Sequence, residues 1–280
     1  MRLARVLHVL PYLVVALSLS ACVNLTAVRD YSTTAGSVVS QTDVAAMWTG
    51  AADRLAQLPN QPQERIAKLR ADRERVFKEI TKVHNLLGEY YLAVAALAAD
   101  ELVKVDTPIQ NLADGVAELD SAFNAEDKQA FISVASLLRL PLDAYRQREL
   151  KKFLLQTREP VDRLLTGLAK LNAIYEQSLQ GEREIAEAPY RRYLAEATTP
   201  PATKLLLARS LREVSAQYDD YLRAVRTYSS SIQLIREKHQ AMIAATSDTG
   251  ELLANAVAQL RQAQASLREA RLAIKQASGK

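Results

Sequence analysis

The chain has 280 residues, of which 24% are charged, and its formal net charge is +4 at pH 7. This nearly balanced charge gives no general attraction for a polyanion, so nucleic acid is not expected as a partner. Only eight glycines and nine prolines are present, which leaves few places for tight turns between strands. The abundance of alanine, leucine, glutamine, arginine and glutamate is typical of helical proteins.

The first element along the chain is an N-terminal segment with the layout of a secretory signal peptide. Arg2 and Arg5 form a basic start, an apolar run extends from Val6 to Leu17, and small residues lead to Cys22. The apolar run is shorter than the roughly 20 residues that a membrane-spanning helix needs. We therefore predict cleavage after residue 21, which removes both arginines and lowers the formal net charge from +4 to +2.

The four residues Leu19-Ser20-Ala21-Cys22 resemble the lipobox of bacterial lipoproteins. In that family the equivalent cysteine is acylated, palmitate being one expected acyl group, and becomes the new N-terminus. The resemblance implies that Cys22 is the lipidation site and that the membrane is a partner. Val23 replaces the aspartate that usually marks retention in the inner membrane, which implies anchoring at the periplasmic face of the cell outer membrane. Because Cys22 is the only cysteine, its acylation leaves no thiol for a disulfide.

Beyond the signal, apolar residues recur at alternating spacings of three and four. These stripes cover residues 69–97, with Arg73 filling one place, and the ranges 109–123, 161–178 and 211–242. Repeats that average 3.5 residues place one apolar stripe on each helix and favour shallow left-handed packing. No segment shows the sustained two-residue alternation of a half-buried strand.

Prolines, glycines and capping residues divide this region into predicted helices. The expected helices cover residues 28–58, 63–105, 108–124, 125–140 (with Asn124 as its cap), 142–196 with interruptions at Pro160 and Pro189, 202–246 and 251–277. A helix of about 42 residues is about 60 Å long. We therefore predict an all-α fold, an elongated antiparallel helical bundle with long coiled-coil-like helices. The expected organisation is a signal peptide at 1–21, a lipid-anchored tether at 22–27 and a single helical-bundle domain at 28–280.

Residue patterns that would support catalysis or metal binding are scarce. His84 and His239 have no second histidine or cysteine at ligand spacing, so we interpret them as bundle residues. No phosphate-binding glycine loop and no nucleophile motif occurs. Carboxylates adjacent in sequence point about 100° apart on a helix, which is poor geometry for shared acid-base work. We expect no enzyme activity, no catalytic residue, no cofactor and no metal.

Tyrosine is the prominent aromatic residue, with eleven copies against four phenylalanines and one tryptophan. Tyrosines on the predicted helices are interpreted either as residues that pack inside the bundle or as part of a partly solvated surface that contacts a partner. The candidate partner-binding residues are Tyr90, Tyr218, Tyr221 and Tyr228. We expect a non-catalytic structural or adaptor protein that binds an envelope protein through an exposed helical stripe on 66–97 or 211–242. The alternative is a binding module for an apolar small molecule or a lipid held between helices.

Overall fold

The structure is a computed structural model that describes residues 25–58, 61–99, 124–138, 147–247 and 251–278. These residues form eight helices: α1 at 25–39, α2 at Asp43–Thr49, α3 at Ala51–Ala56, α4 at Gln63–Ala98, α5 at Ala125–Leu138, α6 at Gln147–Ala195, α7 at Pro201–Ser247 and α8 at Glu251–Ala277. The described ranges contain no strand, and the predicted all-α helical bundle is confirmed. The predicted helix at 108–124 lies outside the described residues.

Helices α6 and α7 form a long antiparallel hairpin. Residues that contact each other across the pair lie at similar distances in sequence before and after the turn at 196–200. Ser215 donates to Glu187 at 2.7 Å, and Asn172 Nδ2 donates to the Val225 carbonyl at 2.8 Å. Farther along, Arg236 Nε pairs with Asp162 at 2.6 Å. Helix α8 turns back along α7, with Lys238 donating to Gln259 at 3.2 Å.

The N-terminal helix α1 buries one face against both α4 and α7. Val28 and Tyr31 are fully buried, and the Tyr31 hydroxyl donates to the Ile235 carbonyl at 3.3 Å. The backbones of α1 and α4 approach closely, because a Cβ added at Gly36 would lie 3.1 Å from Tyr91 Cβ. Residues 25–27, expected in the tether, are helical, so the bundle begins earlier in the chain than the sequence predicts.

The prediction of one continuous helix at 28–58 is wrong, because the helix is interrupted at 40–42 and again at Gly50. The first break ends α1 with two turn hydrogen bonds, from the Ser40 amide to the Gly36 carbonyl at 3.0 Å and from Gln41 to Val38 at 3.1 Å. The breaks let α2 and α3 fold over the surface of α4 and α6, which places their polar side chains beside those helices. At α5 the predicted cap is confirmed, since the Asp127 amide donates to Asn124 Oδ1 at 2.9 Å.

The interruptions predicted at Pro160 and Pro189 are also wrong, because both prolines lie inside the continuous helix α6. A proline in a helix interior costs about 3 kcal/mol, since it removes one hydrogen bond and crowds the preceding turn. The neighbouring core residues Val161, Leu164 and Leu165 are almost fully buried. Burial of such side chains contributes about 1.5–3 kcal/mol each, which is enough to hold the helix together across a proline. Among the helices described, none is long and apolar enough to cross a membrane.

Candidate functional site

The structure places three of the four candidate tyrosines inside the bundle. The Tyr90 hydroxyl lies 3.0 Å from Thr157 Oγ1, and the Tyr228 hydroxyl lies 3.2 Å from His84 Nδ1. Tyr218 is buried against Glu182, so among the four only Tyr221 is partly exposed. The stripes on 66–97 and 211–242 are thus mainly core, which corrects the expectation that they face a partner.

A largely buried group of polar and aromatic side chains joins five helices towards the C-terminal end of α6. We call it the polar cluster; its members are Trp48 of α2, Arg54 of α3, Arg73 of α4, Glu182 of α6 and Tyr218 of α7. Arg54 donates to both carboxylate oxygens of Glu182, at 2.6 and 3.1 Å. The Tyr218 hydroxyl donates to the same carboxylate at 2.8 Å. Glu182 is only 3% exposed, so these donors replace the water that its charge has lost.

Burial and the charge of Glu182 both shift the pKa values of Arg54 and Tyr218 in the polar cluster. Burial alone would lower the pKa of Arg54, but its hydrogen bond and charge interaction with Glu182 raise that pKa overall. Burial raises the pKa of Tyr218, and the neighbouring Glu182 carboxylate raises it further. Arg54 is therefore a cation and Tyr218 a neutral donor, which is the arrangement that a buried carboxylate requires.

Two members of the polar cluster occupy core positions of the helical stripes. Arg73 fills a place between Leu69 and Val76, and Glu182 follows Ser178 at the next four-residue step. A charged residue at a core position of a heptad-like stripe is the sequence signal that could have located this cluster. Sequence analysis missed Arg54 and Trp48, because nothing local shows that α2 and α3 fold back onto α6.

The end of the α6–α7 pair extends beyond the rest of the bundle. We call residues 188–217 the projecting hairpin, because none of them is buried, whereas Glu187 and Tyr218 at its base are. Leu205 and Leu206 are 69% and 66% exposed, and Tyr193 is also exposed. Its turn is closed by the Thr199 hydroxyl, which donates to the Tyr193 carbonyl at 2.8 Å, and α7 then begins at Pro201.

The projecting hairpin also carries many charged side chains. Its basic residues outnumber the acidic Glu196 and Glu213; they are Arg191, Arg192, Lys204, Arg209 and Arg212. At its base, Glu187 accepts from Arg183 Nε at 2.8 Å and from Ser215 at 2.7 Å, and pairs with Arg191. Burial opposes the charge of Glu187, but these hydrogen bonds outweigh it and lower its pKa. The base of the hairpin is therefore held by a charge network in addition to the apolar packing of Ala186 and Val214.

The two histidines are core residues that titrate below their ordinary range. Burial lowers the pKa of His84 to about 4, although its Nδ1 contact with the Val39 carbonyl acts in the opposite direction. Burial likewise lowers the pKa of His239 to about 4, with Asp162 favouring and Arg158 disfavouring the proton. The His239 ring stacks on Tyr90, with ring centroids 5.9 Å apart. Both histidines are neutral at pH 7.

These histidines predict that the fold loses stability on acidification. Their pKa of about 4 in the folded protein lies below the ordinary histidine pKa of about 6.5, so the unfolded chain binds more protons between these two pH values. Stability should therefore be full above pH 6.5 and fall towards pH 4, by about 3 kcal/mol for each histidine. Chemical unfolding measured at a series of pH values checks this slope. The variant His84→Asn/His239→Phe should flatten it, and an unchanged slope in that variant would rule out the histidines as its cause.

No group of three histidine, cysteine, aspartate or glutamate side chains is arranged to hold a metal ion in the part of the chain that the structure describes. In comparisons with known proteins, no family model, no curated protein and no solved structure matches this chain. A function therefore has to be inferred from the chain's own residues, of which the polar cluster and the projecting hairpin are the most distinctive.

Proposed function

We propose that this protein is a non-catalytic adaptor of the bacterial envelope, anchored by lipidated Cys22 at the periplasmic face of the outer membrane. It binds an envelope protein through the projecting hairpin. The observation that carries the proposal is the hairpin itself, which has no buried residue between Glu187 and Tyr218 and exposes Leu205 and Leu206. Adjacent exposed leucines on a protruding element are a typical protein-interaction feature, whereas single exposed apolar residues are ordinary.

The charge of the hairpin indicates the chemistry of the partner surface. Arg191, Arg192 and Arg209 pair with Glu187, Glu196 and Glu213, and the hairpin keeps an excess of basic over acidic side chains. This excess complements a partner surface with an apolar centre and an acidic rim. Arginine and tyrosine, both present here as Arg192 and Tyr193, are also enriched in protein interfaces. The Arg192 guanidinium lies 4.9 Å from the centre of the Tyr193 ring, so the two side chains contact each other on the hairpin.

The direction of α1 supports an anchored adaptor. Tyr31 contacts Ile235, and Val39 contacts His84, which in turn contacts Tyr228, so α1 runs towards the projecting hairpin. The start of α1 therefore points to the opposite end of the bundle, and Cys22 precedes the first described residue by three positions. The 34 residues of α7 between Pro201 and Ile235 span about 50 Å. A lipid at Cys22 would thus leave the hairpin well away from the membrane.

We expect Leu205→Asp/Leu206→Asp to abolish partner binding without unfolding the protein. Both side chains are largely exposed, so their replacement should change the free energy of unfolding by less than about 1 kcal/mol. Two carboxylates in the apolar centre of an interface should weaken the complex about tenfold or more. The matched control is Leu252→Asp, because Leu252 is 68% exposed on α8, far from the hairpin.

The measurement is quantitative mass spectrometry of proteins recovered with each variant after crosslinking in cells. The proposal requires an envelope protein that is recovered with the wild type and with Leu252→Asp but is lost with the double variant. Equal recovery with all three proteins would show that the hairpin is not the binding surface.

A further inference from the structure

A groove opens beside the polar cluster, between α3, the first part of α4 and the C-terminal part of α6. Its volume is about 590 Å³, which lies within the range of small-molecule sites. Apolar side chains line one part of it, namely Leu55, Ile66, Leu69 and Ile185, and Arg73 lies in another part. Gly181 leaves the groove wide, because a Cβ added there would meet no atom within 4 Å.

Arg73 is a buried cation whose partners in the structure are neutral. It is 7% exposed, donates to Ser178 Oγ at 2.6 Å and to the Trp48 carbonyl, and lies 4.7 Å from the centre of the Trp48 ring. The carboxylate of Glu182 is bonded to Arg54 rather than to Arg73. Burial lowers the pKa of Arg73, and the charge of nearby Glu182 offsets this only in part. An arginine remains charged in proteins, and a buried charge without an opposite charge is costly. The Arg73 guanidinium is therefore available to form an ion pair with a bound anion.

The other charged side chains that line the groove leave it with a net positive charge. Glu182 is already paired with Arg54 and accepts from Tyr218, so its charge is compensated. Asp72 lies at the exposed edge, 3.9 Å from Arg75. Arg65 and Lys68 line the same groove and add two more cations. A ligand that combines one anionic group with apolar surface would match this lining.

We propose that the groove binds a single-chain anionic amphiphile, with its carboxylate or phosphate head on Arg73 and its hydrocarbon over Leu69 and Ile185. An arginine binds either head group through paired hydrogen bonds, and the apolar wall removes the chain from water. This site is separate from the projecting hairpin, so it does not depend on partner binding there.

Trp48 provides a direct readout, since it is the only tryptophan of the chain and contacts Arg73. The full mature protein is titrated with dodecanoate, dodecyl phosphate and the neutral dodecyl maltoside, each below its micelle-forming concentration. Trp48 fluorescence and calorimetry should both report saturable binding of an anionic ligand and none of the neutral one. Tighter binding of dodecanoate assigns the head group as a carboxylate, and tighter binding of dodecyl phosphate assigns it as a phosphate.

Two variants test the residues independently. Arg73→Gln keeps a hydrogen-bond donor but removes the charge, and it should weaken anion binding about tenfold or more. Gly181→Leu adds a good helix former that fills open space, so it should block binding while the protein stays folded. The control Arg209→Gln removes an exposed cation of the hairpin and should bind like the wild type.

The proposal is overturned if neither anionic ligand binds, if the neutral ligand binds equally well, or if Gly181→Leu binds as tightly as the wild type. Circular dichroism of each variant shows that its fold is retained. Partner recovery by the hairpin should be unaffected by Gly181→Leu, so failure of this site and failure of the adaptor function give different results.

Discussion

Replacing Glu182 by leucine should lower the free energy of unfolding by about 3–5 kcal/mol. The variant leaves the Arg54 guanidinium without its carboxylate partner and the Tyr218 hydroxyl without its acceptor, in a place where water is largely excluded. An unpaired buried charge and an unsatisfied buried donor are both costly. The free energy of unfolding, measured by urea denaturation with circular dichroism, checks the expected loss.

A double-mutant cycle separates the pair from general packing. Arg54→Met/Glu182→Leu removes both charges, so it should recover a large part of the stability lost in Glu182→Leu alone. The matched control is Glu213→Leu, which breaks an exposed pair with Arg209 and should cost less than about 0.5 kcal/mol. Equal losses in Glu182→Leu and Glu213→Leu would mean that the polar cluster does not stabilise the fold.

Cys22→Ser should move the protein from the membrane fraction to the soluble fraction. The proposed anchor consists of acyl chains on the Cys22 thiol, and each buried methylene contributes about 0.8 kcal/mol to membrane binding. Serine has no thiol to acylate, so the variant loses the whole of this contribution. Membrane fractionation followed by detection of the protein in each fraction measures the change.

Val23→Asp is the matched variant for this experiment. It keeps Cys22 and hence the proposed lipidation site, but it places after the cysteine the aspartate that marks inner-membrane retention in proteins with a similar lipobox. It should stay membrane-bound and move from the outer to the inner membrane. The proposed anchor is wrong if Cys22→Ser remains with membranes in high-salt, detergent-free buffer.

The helices could be predicted because their signals are local. Apolar residues at three- and four-residue spacings and Asn124 as a cap are visible within a few positions of sequence. The exceptions also have physical causes. Pro160 and Pro189 both break the local rule. At Pro160 the burial of Val161, Leu164 and Leu165 outweighs the cost, and such packing is not visible in a local window.

The polar cluster and the projecting hairpin could not be derived in the same way. Arg54 and Glu182 are 128 positions apart and meet only because α3 folds back onto α6. The hairpin depends on where the neighbouring helices end, since the same stripe is buried at Tyr218 and partly exposed at Leu211. The tyrosines were misleading for a related reason, because a stripe that packs inside the bundle has the same period as one that faces a partner.

Crosslinking in living cells from a photoreactive amino acid at position 206 tests the adaptor proposal most directly. The same amino acid at position 252, on the equally exposed α8 residue, is the matched control. The proposal predicts one discrete crosslinked species from position 206, containing an envelope protein identified by mass spectrometry, and none of that species from position 252. No species from position 206, or the same species from both positions, would contradict it.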